Sequence, residues 1–463
     1  MKSNLSVFFI LFPFILLGQH TDHDLLPASF FKDNRTHFIE EMPPHAIAVF
    51  FSNPIRNRNN DVDFQFSQNP NFYYLSGFRD PDAVLILFKD EKTFDNHHHV
   101  QELLFIRPKN RSEEIWTGFR PTCQEASAIT GIEAVYTTSE FKEFGIDFSK
   151  IKEVWADLPT QPNSESFSKI ALKNLVEDFR EKVPAATFID QNRPIKVMAS
   201  FREVKQKEEI KLIQKAIDIS IKGFIELMKA IQPGFKEYQA QAIEEYFVKF
   251  NGGEYQGYPS ICGGAGNSCI LHYQENRDSL KSGDLLLADM GGEYHGYTAD
   301  ITRTFPVNGR FSEEQKAVYE LVLKAQEAGI AVCLPGKPFR ATHEATMTVV
   351  AKGLMELGII KEKEDAKNYF MHGTSHYLGL DVHDAGTYGT LKPGTIITVE
   401  PGIYIPEGSP CDKKWWNIGV RIEDDILVNE QGTATNLSGN LPRTVSEIES
   451  LMQEKSKLKQ DKE

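Results

Sequence analysis

The stretch that decides the fold runs from Asp284 to Pro306 and reads DLLLADMGGEYHGYTADITRTFP. Asp289 ends a short apolar run, and Asp300 begins a second run rich in Thr and Ile. Glycines lie between the two runs, as a tight reversal of the chain requires. The pattern predicts two antiparallel strands joined by a short turn, which can bring both aspartates to the same place. Two close carboxylates raise each other's pKa unless a cation neutralises them.

The same pair of aspartates also admits a simpler interpretation, because two turn residues on the surface can give this spacing by coincidence. Three further elements weaken that interpretation: HGTSHYLGLDVHD at residues 372–384, IITVEPGIY at 396–404 and GVRIEDDI at 419–426. The first is Gly-rich with three histidines, the second has a glutamate at the end of a β-type run, and the third places an arginine and a glutamate on one face of a strand. The residues concerned are His372, His376, His383, Glu400, Arg421 and Glu423.

Together these elements supply two Asp, two Glu and a His at or near strand ends. Four carboxylates in one buried site are costly unless cations neutralise them. Oxygen ligands with one imidazole suit Mn²⁺, Co²⁺ or Zn²⁺, and the 5 cysteines show no metal-binding spacing. The sequence therefore predicts two divalent metal ions, which lower the pKa of a water that they share. The chemistry indicated is hydrolysis of a polarised carbonyl or phosphoryl group.

Length and charge limit the functional classes. At 463 residues the chain is too long for one compact core, so two domains are expected. Its hydrophobic fraction of 41% and charged fraction of 25% are ordinary for a globular protein. The net charge of −14 argues against a nucleic-acid partner, because proteins that bind nucleic acid are usually basic.

The N-terminus has the character of an export signal. Lys2 precedes an apolar run from Val7 to Leu17, interrupted only by Pro13. The run is too short for a membrane-spanning helix, but it fits the hydrophobic region of a signal peptide. We expect residues 1–19 to be a signal peptide that is cleaved from a periplasmic or secreted protein without stable membrane insertion. An uncleaved tether is the alternative.

Periodicity divides the rest of the chain into two domains. Short apolar runs bounded by turn residues predict a mixed α/β domain over residues 25–190. Residues 191–200 are expected as a linker, and residues 201–445 as a catalytic domain that opens on a long helix. In that helix, from about Glu203 to Ile231, apolar residues recur at steps of three and four. Residues 446–463 form a charged tail rich in Lys and Glu.

The ordered set of two aspartates, one histidine and two glutamates resembles the five-ligand centre of the pita-bread metallopeptidases. HGTSHYLGLDVHD resembles the signature of the family that contains aminopeptidase P (Xaa-Pro aminopeptidase) and prolidase. Motifs similar to those of aminopeptidase P extend over nearly the whole chain: FYYLSGF at 72–78, PDAVL at 81–85, EIW at 114–116, CILHY at 269–273, DITRTFPVNG at 300–309 and RIEDD at 421–425. Thr374 departs from the family pattern, in which Leu or Ile is commoner, and it is not one of the ligands.

The resemblance implies an α+β chain in which a C-terminal pita-bread domain (creatinase/aminopeptidase fold) follows a smaller creatinase-like α/β domain. It implies that Asp289, Asp300, His376, Glu400 and Glu423 bind two divalent ions, with Mn²⁺ expected before Co²⁺ or Zn²⁺. Asp300 and Glu423 would bridge the ions, and a hydroxide between the ions would attack the scissile carbonyl carbon. Glu400 would carry a proton from this nucleophile to the leaving nitrogen.

The resemblance also assigns residues to the substrate. His272 and His383 would hydrogen-bond the peptide and the developing oxyanion, and His372 would line the site. Arg421 would hold the carboxylates or the peptide backbone. Tyr404 is a further expected substrate contact.

The family forms dimers and tetramers, so a homodimer or homotetramer is expected, in which Trp116 reaches the site of a neighbouring subunit. The function implied is hydrolysis of the N-terminal Xaa-Pro bond of peptides with Pro at the second position. The nearest alternative is prolidase, which cleaves only Xaa-Pro dipeptides. A creatinase-like hydrolase and a metal-free binding module share the scaffold, but relatives of those kinds lack metal ligands that are all present in this chain.

Overall fold

The protein is described by a computed structural model over residues 24–94, 97–159, 167–185 and 187–458. The predicted signal peptide, residues 1–19, lies outside these ranges, as does the end of the charged tail. An N-terminal mixed sheet with flanking helices is followed by a larger unit of small antiparallel sheets and long helices. Within the described ranges, no helix has the length and apolar character needed to cross a membrane.

The N-terminal unit is built on a sheet of six strands in the order β6-β5-β4-β1-β7-β8. The strands are β1 (Ala46–Phe51), β2 (Asn57–Asn59), β3 (Val62–Asp63), β4 (Val84–Phe94), β5 (His97–Ile106), β6 (Val135–Thr137), β7 (Glu153–Asp157) and β8 (Ile189–Asp190). The helices are α1 (Ala28–Glu41), α2 (Pro70–Ser76), α3 (Arg111–Thr117), α4 (Cys123–Thr130), α5 (Thr138–Phe141), α6 (Phe167–Lys182) and α7 (Asn192–Arg202). β2 and β3 form a separate small hairpin, and α7 occupies most of the segment expected as the linker.

Strand β1 shows why this sheet is central to the N-terminal unit. All six of its residues are buried. Successive side chains of a strand point to opposite faces. Ala48 and Phe50 accordingly join the core beneath α1 and α2, whereas Val49 and Phe51 join the core beneath α6. A strand covered on both faces is apolar throughout, as the sequence of β1 is.

The C-terminal unit carries the long helices. The helices are α8 (Lys207–Ala230), α9 (Glu237–Phe250), α10 (Glu313–Ile330), α11 (Ala341–Glu356) and α12 (Val445–Leu451). The strands are β9 (Tyr255–Gln256), β10 (Ile261–Gly264), β11 (Leu285–Met290), β12 (Gly292–Tyr294), β13 (Tyr297–Thr298), β14 (Ile301–Pro306), β15 (Ile396–Val399), β16 (Gly402–Ile405), β17 (Ile418–Arg421), β18 (Asp424–Val428) and β19 (Ala434–Asn436). They form the sheets β10-β11-β14, β13-β12-β9, β15-β18-β19 and β16-β17.

The two predicted strands of the opening stretch are present as β11 and β14, which pair antiparallel with Asp289 opposite Thr302. The predicted short turn between them is wrong, because the connection forms a second hairpin, β12–β13, that pairs with β9. Tyr297 anchors this hairpin: it is fully buried, and its hydroxyl donates a hydrogen bond to Glu209 of α8 at 3.1 Å. Glycines indicate that the chain reverses direction here. They do not reveal that the connecting segment is long enough to form two paired strands of its own.

Helix α8 packs closely against α9 at Gly223. A larger side chain at this position is therefore expected to destabilise the fold. A Cβ atom at Gly223 would lie 2.9 Å from Glu244 Cγ and 3.1 Å from the Glu244 carbonyl oxygen. Overpacking of this kind costs about 1–3 kcal/mol. In a domain of this size each kcal/mol lowers Tm by about 2–4 °C. Gly223→Ala should therefore lower Tm by several degrees in thermal unfolding followed by circular dichroism.

The matched control is Lys211→Ala, an exposed site on the same helix. Alanine is the best helix former, so the control should leave Tm unchanged or slightly higher. An unchanged Tm for Gly223→Ala would show that the two helices separate at little cost.

Candidate metal centre

The two aspartates of the opening stretch are fixed by neighbouring hydrogen bonds. Asp289 lies near the end of β11, where the Tyr258 hydroxyl donates to its Oδ1 at 2.7 Å. Asp300 immediately precedes β14, and its backbone N–H donates to Asp425 Oδ2 at 3.2 Å. Both aspartates are buried. The sheet register therefore sets where the two carboxylates lie.

Glu423 is joined to the same strand by two contacts with Thr302. The Glu423 N–H donates to the Thr302 carbonyl oxygen at 3.1 Å, and the Thr302 hydroxyl donates to Glu423 Oε2 at 2.6 Å. Glu423 follows β17, so this link connects β14 to the sheet that holds Arg421. Arg421 in turn forms an ion pair with Asp289.

His376 and Glu400 come from the other side of the site. The His376 Nδ1 lies 3.0 Å from the Tyr377 carbonyl oxygen, which can only accept, so Nδ1 carries the proton. The other ring nitrogen, Nε2, then faces Asp300 Oδ2 at 3.3 Å and Glu400 Oε1 at 3.6 Å. A backbone carbonyl that fixes the tautomer in this way is typical of a metal-binding histidine.

Three of the predicted ligands form a compact group. One atom each from Asp300, His376 and Glu423 lies within 4.8 Å of the other two, and all three residues are buried. Asp289 and Glu400 flank this group and line the same cavity, whose volume is about 540 Å³. The structure thus brings all five predicted ligand residues to one cavity.

The electrostatics of the cavity require positive charge. Burial, reinforced by the neighbouring carboxylates, raises the pKa of Glu423 well above its ordinary value. Burial also raises the pKa of Asp289, although Arg421 opposes the shift. The pKa of Glu400 rises to about 7, again mainly through burial. For His376, burial lowers the pKa, but the contact with Asp300 outweighs it and raises the pKa to about 9.

The residues present fit divalent cations. The donor set is four carboxylates and one imidazole whose Nε2 faces two of the carboxylates. Behind them, Asp425 is fully buried with a raised pKa, and its Oδ1 has no hydrogen-bond partner among the described residues. Such a concentration of buried acids is stable only with cations or with bound protons. A set of ligands that is rich in oxygen selects hard divalent metal ions.

A chain of hydrogen bonds supports the cavity wall next to the predicted ligands. Arg421 Nη1 donates to the Tyr404 hydroxyl at 2.9 Å, and that hydroxyl lies 2.8 Å from His372 Nε2. The His372 Nδ1 lies 2.8 Å from the Gly373 carbonyl oxygen. Burial and the positive charge of Arg421 lower the pKa of His372 to about 3. His372 is therefore a neutral ring that donates from Nδ1 and accepts at Nε2.

Of the remaining residues predicted for the site, three reach the cavity and one does not. His272 and His383 line the cavity, and the ring of His383 lies 4.3 Å from that of His376, measured between centroids. Tyr404 is fully buried and meets the cavity through its hydroxyl contacts with His372 and Arg421. Trp116 is not brought to the cavity within one chain: it lies on α3 with 87% of its surface exposed.

Sequence reasoning missed Tyr258, Thr302 as a ligand support, and Asp425. Asp425 could have been found, because alternation from Glu423 places it on the same face of the strand. Thr302 could have been found in the same way from Asp300. Tyr258 precedes a Gly-rich segment, and nothing in the local pattern of that segment points to Asp289.

Comparison with known proteins agrees with this geometry. The sequence profile of metallopeptidase family M24 matches residues 211–430, and that of the aminopeptidase P N-terminal domain matches residues 31–154. The Xaa-Pro aminopeptidase of Haemophilus influenzae is 35% identical over 439 residues, which cover 92% of this chain and 98% of the relative. The chain belongs to metallopeptidase family M24. It is therefore a hydrolase, and the predicted two-domain α+β fold with a C-terminal pita-bread domain is confirmed.

Solved structures of M24 peptidases superpose on nearly the whole chain. An aminopeptidase of Pseudomonas aeruginosa has a TM-score of 0.83 at 35% identity, covering 93% of this chain and 98% of its own. A variant of Escherichia coli aminopeptidase P in complex with substrate has a TM-score of 0.81 at 32% identity, covering 92% and 98%. A zinc-substituted form of the Escherichia coli protein in complex with product is also similar, with a TM-score of 0.81. Membership of the family implies divalent metal ions in this chain.

The repulsion among the buried carboxylates predicts how metal binding changes the thermal stability of the protein. Because the pKa of Glu423 is raised on folding, the metal-free protein loses stability as the pH rises from the unfolded value toward the folded one. Glu423→Gln removes the cost of ionising a buried carboxyl group. The glutamine side chain can still accept the hydrogen bond from the Thr302 hydroxyl. At pH 7 with a chelator, the variant should have a higher Tm than the wild type. With excess Mn²⁺ the order should reverse, because the wild type gains binding free energy that the variant has lost.

The control is Glu430→Gln, an exposed site, for which Tm should match the wild type under both conditions. Differential scanning calorimetry measures the Tm of each protein with the chelator and with Mn²⁺. Metal analysis gives the number of ions bound per chain. Equal Tm values for the wild type with and without metal would contradict a metal centre at this position.

Proposed function

We propose that this protein is an Xaa-Pro aminopeptidase, which hydrolyses the bond between the first residue and a proline at position two of a peptide. One observation carries the proposal: the five ligand residues meet in a single cavity that also contains His272, His372, His383 and Arg421. Relatives that share about a third of the sequence along almost their whole length are Xaa-Pro aminopeptidases. The prolidase alternative is not favoured by these relatives.

The protein's own groups can prepare the reaction. Two divalent ions, when bound, would supply a nucleophilic water at neutral pH and positive charge for the carbonyl oxygen. Asp289, Asp300, His376, Glu400 and Glu423 would hold them, with Mn²⁺ as the proposed native metal and Co²⁺ or Zn²⁺ as alternatives. The dinuclear form of the chemistry, with Asp300 and Glu423 shared between the ions, is part of this proposal.

Glu400 is the proposed proton carrier. It is the least enclosed of the four carboxylates, with 16% of its side chain exposed, and it faces the cavity beside His372 and His376. A carboxylate at the cavity surface can take a proton from water and deliver it to the leaving nitrogen. The nitrogen of an Xaa-Pro bond has no N–H. Like the nitrogen of any amide, it must gain a proton as the bond breaks, and Glu400 would supply it.

The imidazoles would recognise the peptide. His383 lies beside His376 on the cavity wall, and His272 is an exposed residue at the mouth of the same cavity. Both could donate to carbonyl oxygens of the substrate or to the developing oxyanion. His372 is engaged by Tyr404 and Gly373, so it would line the site as a fixed neutral ring. Arg421 would hold Asp289 and the cavity wall.

The proposal extends to assembly and location. The exposed Trp116 would complete the site of a neighbouring subunit in a homodimer or homotetramer, and no partner other than peptides and its own copies is required. The apolar run from Val7 to Leu17 supports export to the periplasm or the exterior. The signal peptide, residues 1–19, would be removed, and no stable membrane insertion would follow.

An assay of tripeptides against dipeptides tests the proposed function. Arg-Pro-Pro should be cleaved to Arg and Pro-Pro in the presence of Mn²⁺, faster than an Xaa-Pro dipeptide, and a chelator should stop the reaction. Glu400→Ala should lower kcat by about 10²–10⁴-fold or more, because it removes the proton carrier and a ligand. Product release followed by chromatography measures both.

The matched control is Glu430→Ala, an exposed glutamate for which kcat should be unchanged. Circular dichroism of Glu400→Ala should show a folded protein, so the loss is chemical. Hydrolysis that continues undiminished in a chelator, or a Glu400→Ala variant as active as the wild type, would exclude the proposed mechanism. Exclusive cleavage of dipeptides would replace the aminopeptidase by a prolidase.

A further inference from the structure

The loop that carries His383 is held from outside itself. Of residues 379–394, all of which the structure describes, only Thr390 takes part in a β-bridge. The His383 ring nevertheless lies 4.3 Å from that of His376, measured between centroids. Next to His383, the Asp384 N–H donates to the Tyr377 carbonyl oxygen at 2.8 Å, and side chains of other elements support the loop further.

Those elements belong to the connection between the two domains. Asp384, the residue after His383, has 1% of its side chain exposed. Lys205 Nζ donates to Asp384 Oδ2 at 2.7 Å, and the Arg202 guanidinium donates to Asp384 Oδ1. The cations are buried as well, with 6% of Arg202 and 1% of Lys205 exposed. Burial raises the pKa of Asp384, but the two cations outweigh it and hold that pKa below its ordinary value.

The same connection holds the far side of the loop. Glu203 accepts hydrogen bonds from the Thr387 N–H at 2.8 Å and from Lys392 Nζ at 2.5 Å. The Lys205 N–H donates to the Gly394 carbonyl oxygen at 2.9 Å. Residues 202–205 therefore contact the loop at Asp384 and at three positions that follow it in the chain.

Arg202 also reaches into the N-terminal domain. Its Nη1 donates to Asn71 Oδ1 at 2.7 Å, and Asn71 Nδ2 donates to Asp157 Oδ2 at 2.9 Å. Asn71 is in α2 and Asp157 ends β7. One guanidinium thus joins the N-terminal domain to the loop of the catalytic cavity.

We propose that Arg202 and Lys205 are positioning residues, which hold Asp384 and thereby fix the His383 imidazole at the cavity wall. The inference rests on the proposed function, since the role of His383 is to bind the substrate and the developing oxyanion. Neither cation lines the cavity, so both act through Asp384. A catalytic group displaced by about 1 Å can lose about 10²-fold in rate.

The test is a double-mutant cycle in the full-length, Mn²⁺-loaded protein, with Arg-Pro-Pro as substrate. Lys205→Met should lower kcat by about tenfold or more and raise KM, because a displaced His383 binds the developing oxyanion and the substrate less well. His383→Ala should lower kcat as well. If Lys205 acts through His383, Lys205→Met should cost nothing further in the His383→Ala background, and metal analysis should find the wild-type ion content in both variants.

The matched control is Lys229→Met, the same substitution on α8 at a lysine paired with Glu454 at 2.7 Å, away from the loop. It should leave kcat and KM at wild-type values. Should Lys205→Met fail to fold, Arg202→Lys keeps the buried charge but cannot reach Asn71 and Asp384 together. It should lower kcat in the wild type and not in the His383→Ala background.

An equal cost of Lys205→Met or Arg202→Lys in both backgrounds would overturn the inference, as would wild-type kcat in either variant or loss of metal. Failure of the proposed function gives a different result. In that case the wild-type protein itself does not cleave Arg-Pro-Pro with Mn²⁺.

Discussion

Mutual repulsion among buried carboxylates is the constraint on which the rest of this structure depends. Four acids line one cavity, and a fifth, Asp425, lies behind them. The positive groups closest to them are Arg421, paired with Asp289, and His376, beside Asp300 and Glu400. Folding alone therefore places these acids where ionisation is unfavourable. The free energy that cations return on binding offsets this cost, so metal affinity and fold stability are one linked quantity.

A site of this kind needs ligands that keep their places while they repel one another. The sheets provide this: β11 and β14 pair with Asp289 opposite Thr302, and Thr302 also binds Glu423 through backbone and side chain. The tautomer of His376 is set by a carbonyl oxygen. Glu423 and His376 are thus oriented by a neutral donor or by the backbone, whose hydrogen bonds do not depend on the charge of the site. Pre-orientation of this sort reduces the entropy that metal binding would otherwise lose.

Regular elements and ligands could be predicted from the sequence, because both follow from local patterns. The long helix was predicted from about Glu203 to Ile231 and is found as α8, Lys207–Ala230, and the five residues predicted as ligands line one cavity. The hairpin inside the opening stretch was not predictable, because its pairing depends on β9 and on Tyr297 meeting α8. The burial of Arg202 and Lys205 could not be predicted in this way. Their burial depends on Asp384, about 180 residues away, and no local pattern carries that information.

The position of those charges changes what the N-terminal domain does for the cavity. Domains joined by a linker commonly move relative to one another unless their interface is large or tightly bonded. Here, separation would break either the buried ion pair between Arg202 and Asp384 or the hydrogen bond from Arg202 to Asn71. Breaking a buried pair costs about 3–5 kcal/mol. Leu380 adds an apolar tie, since it packs against the cores of both domains. Domain opening would therefore also remove supports of the loop that carries His383, which forms part of the cavity wall.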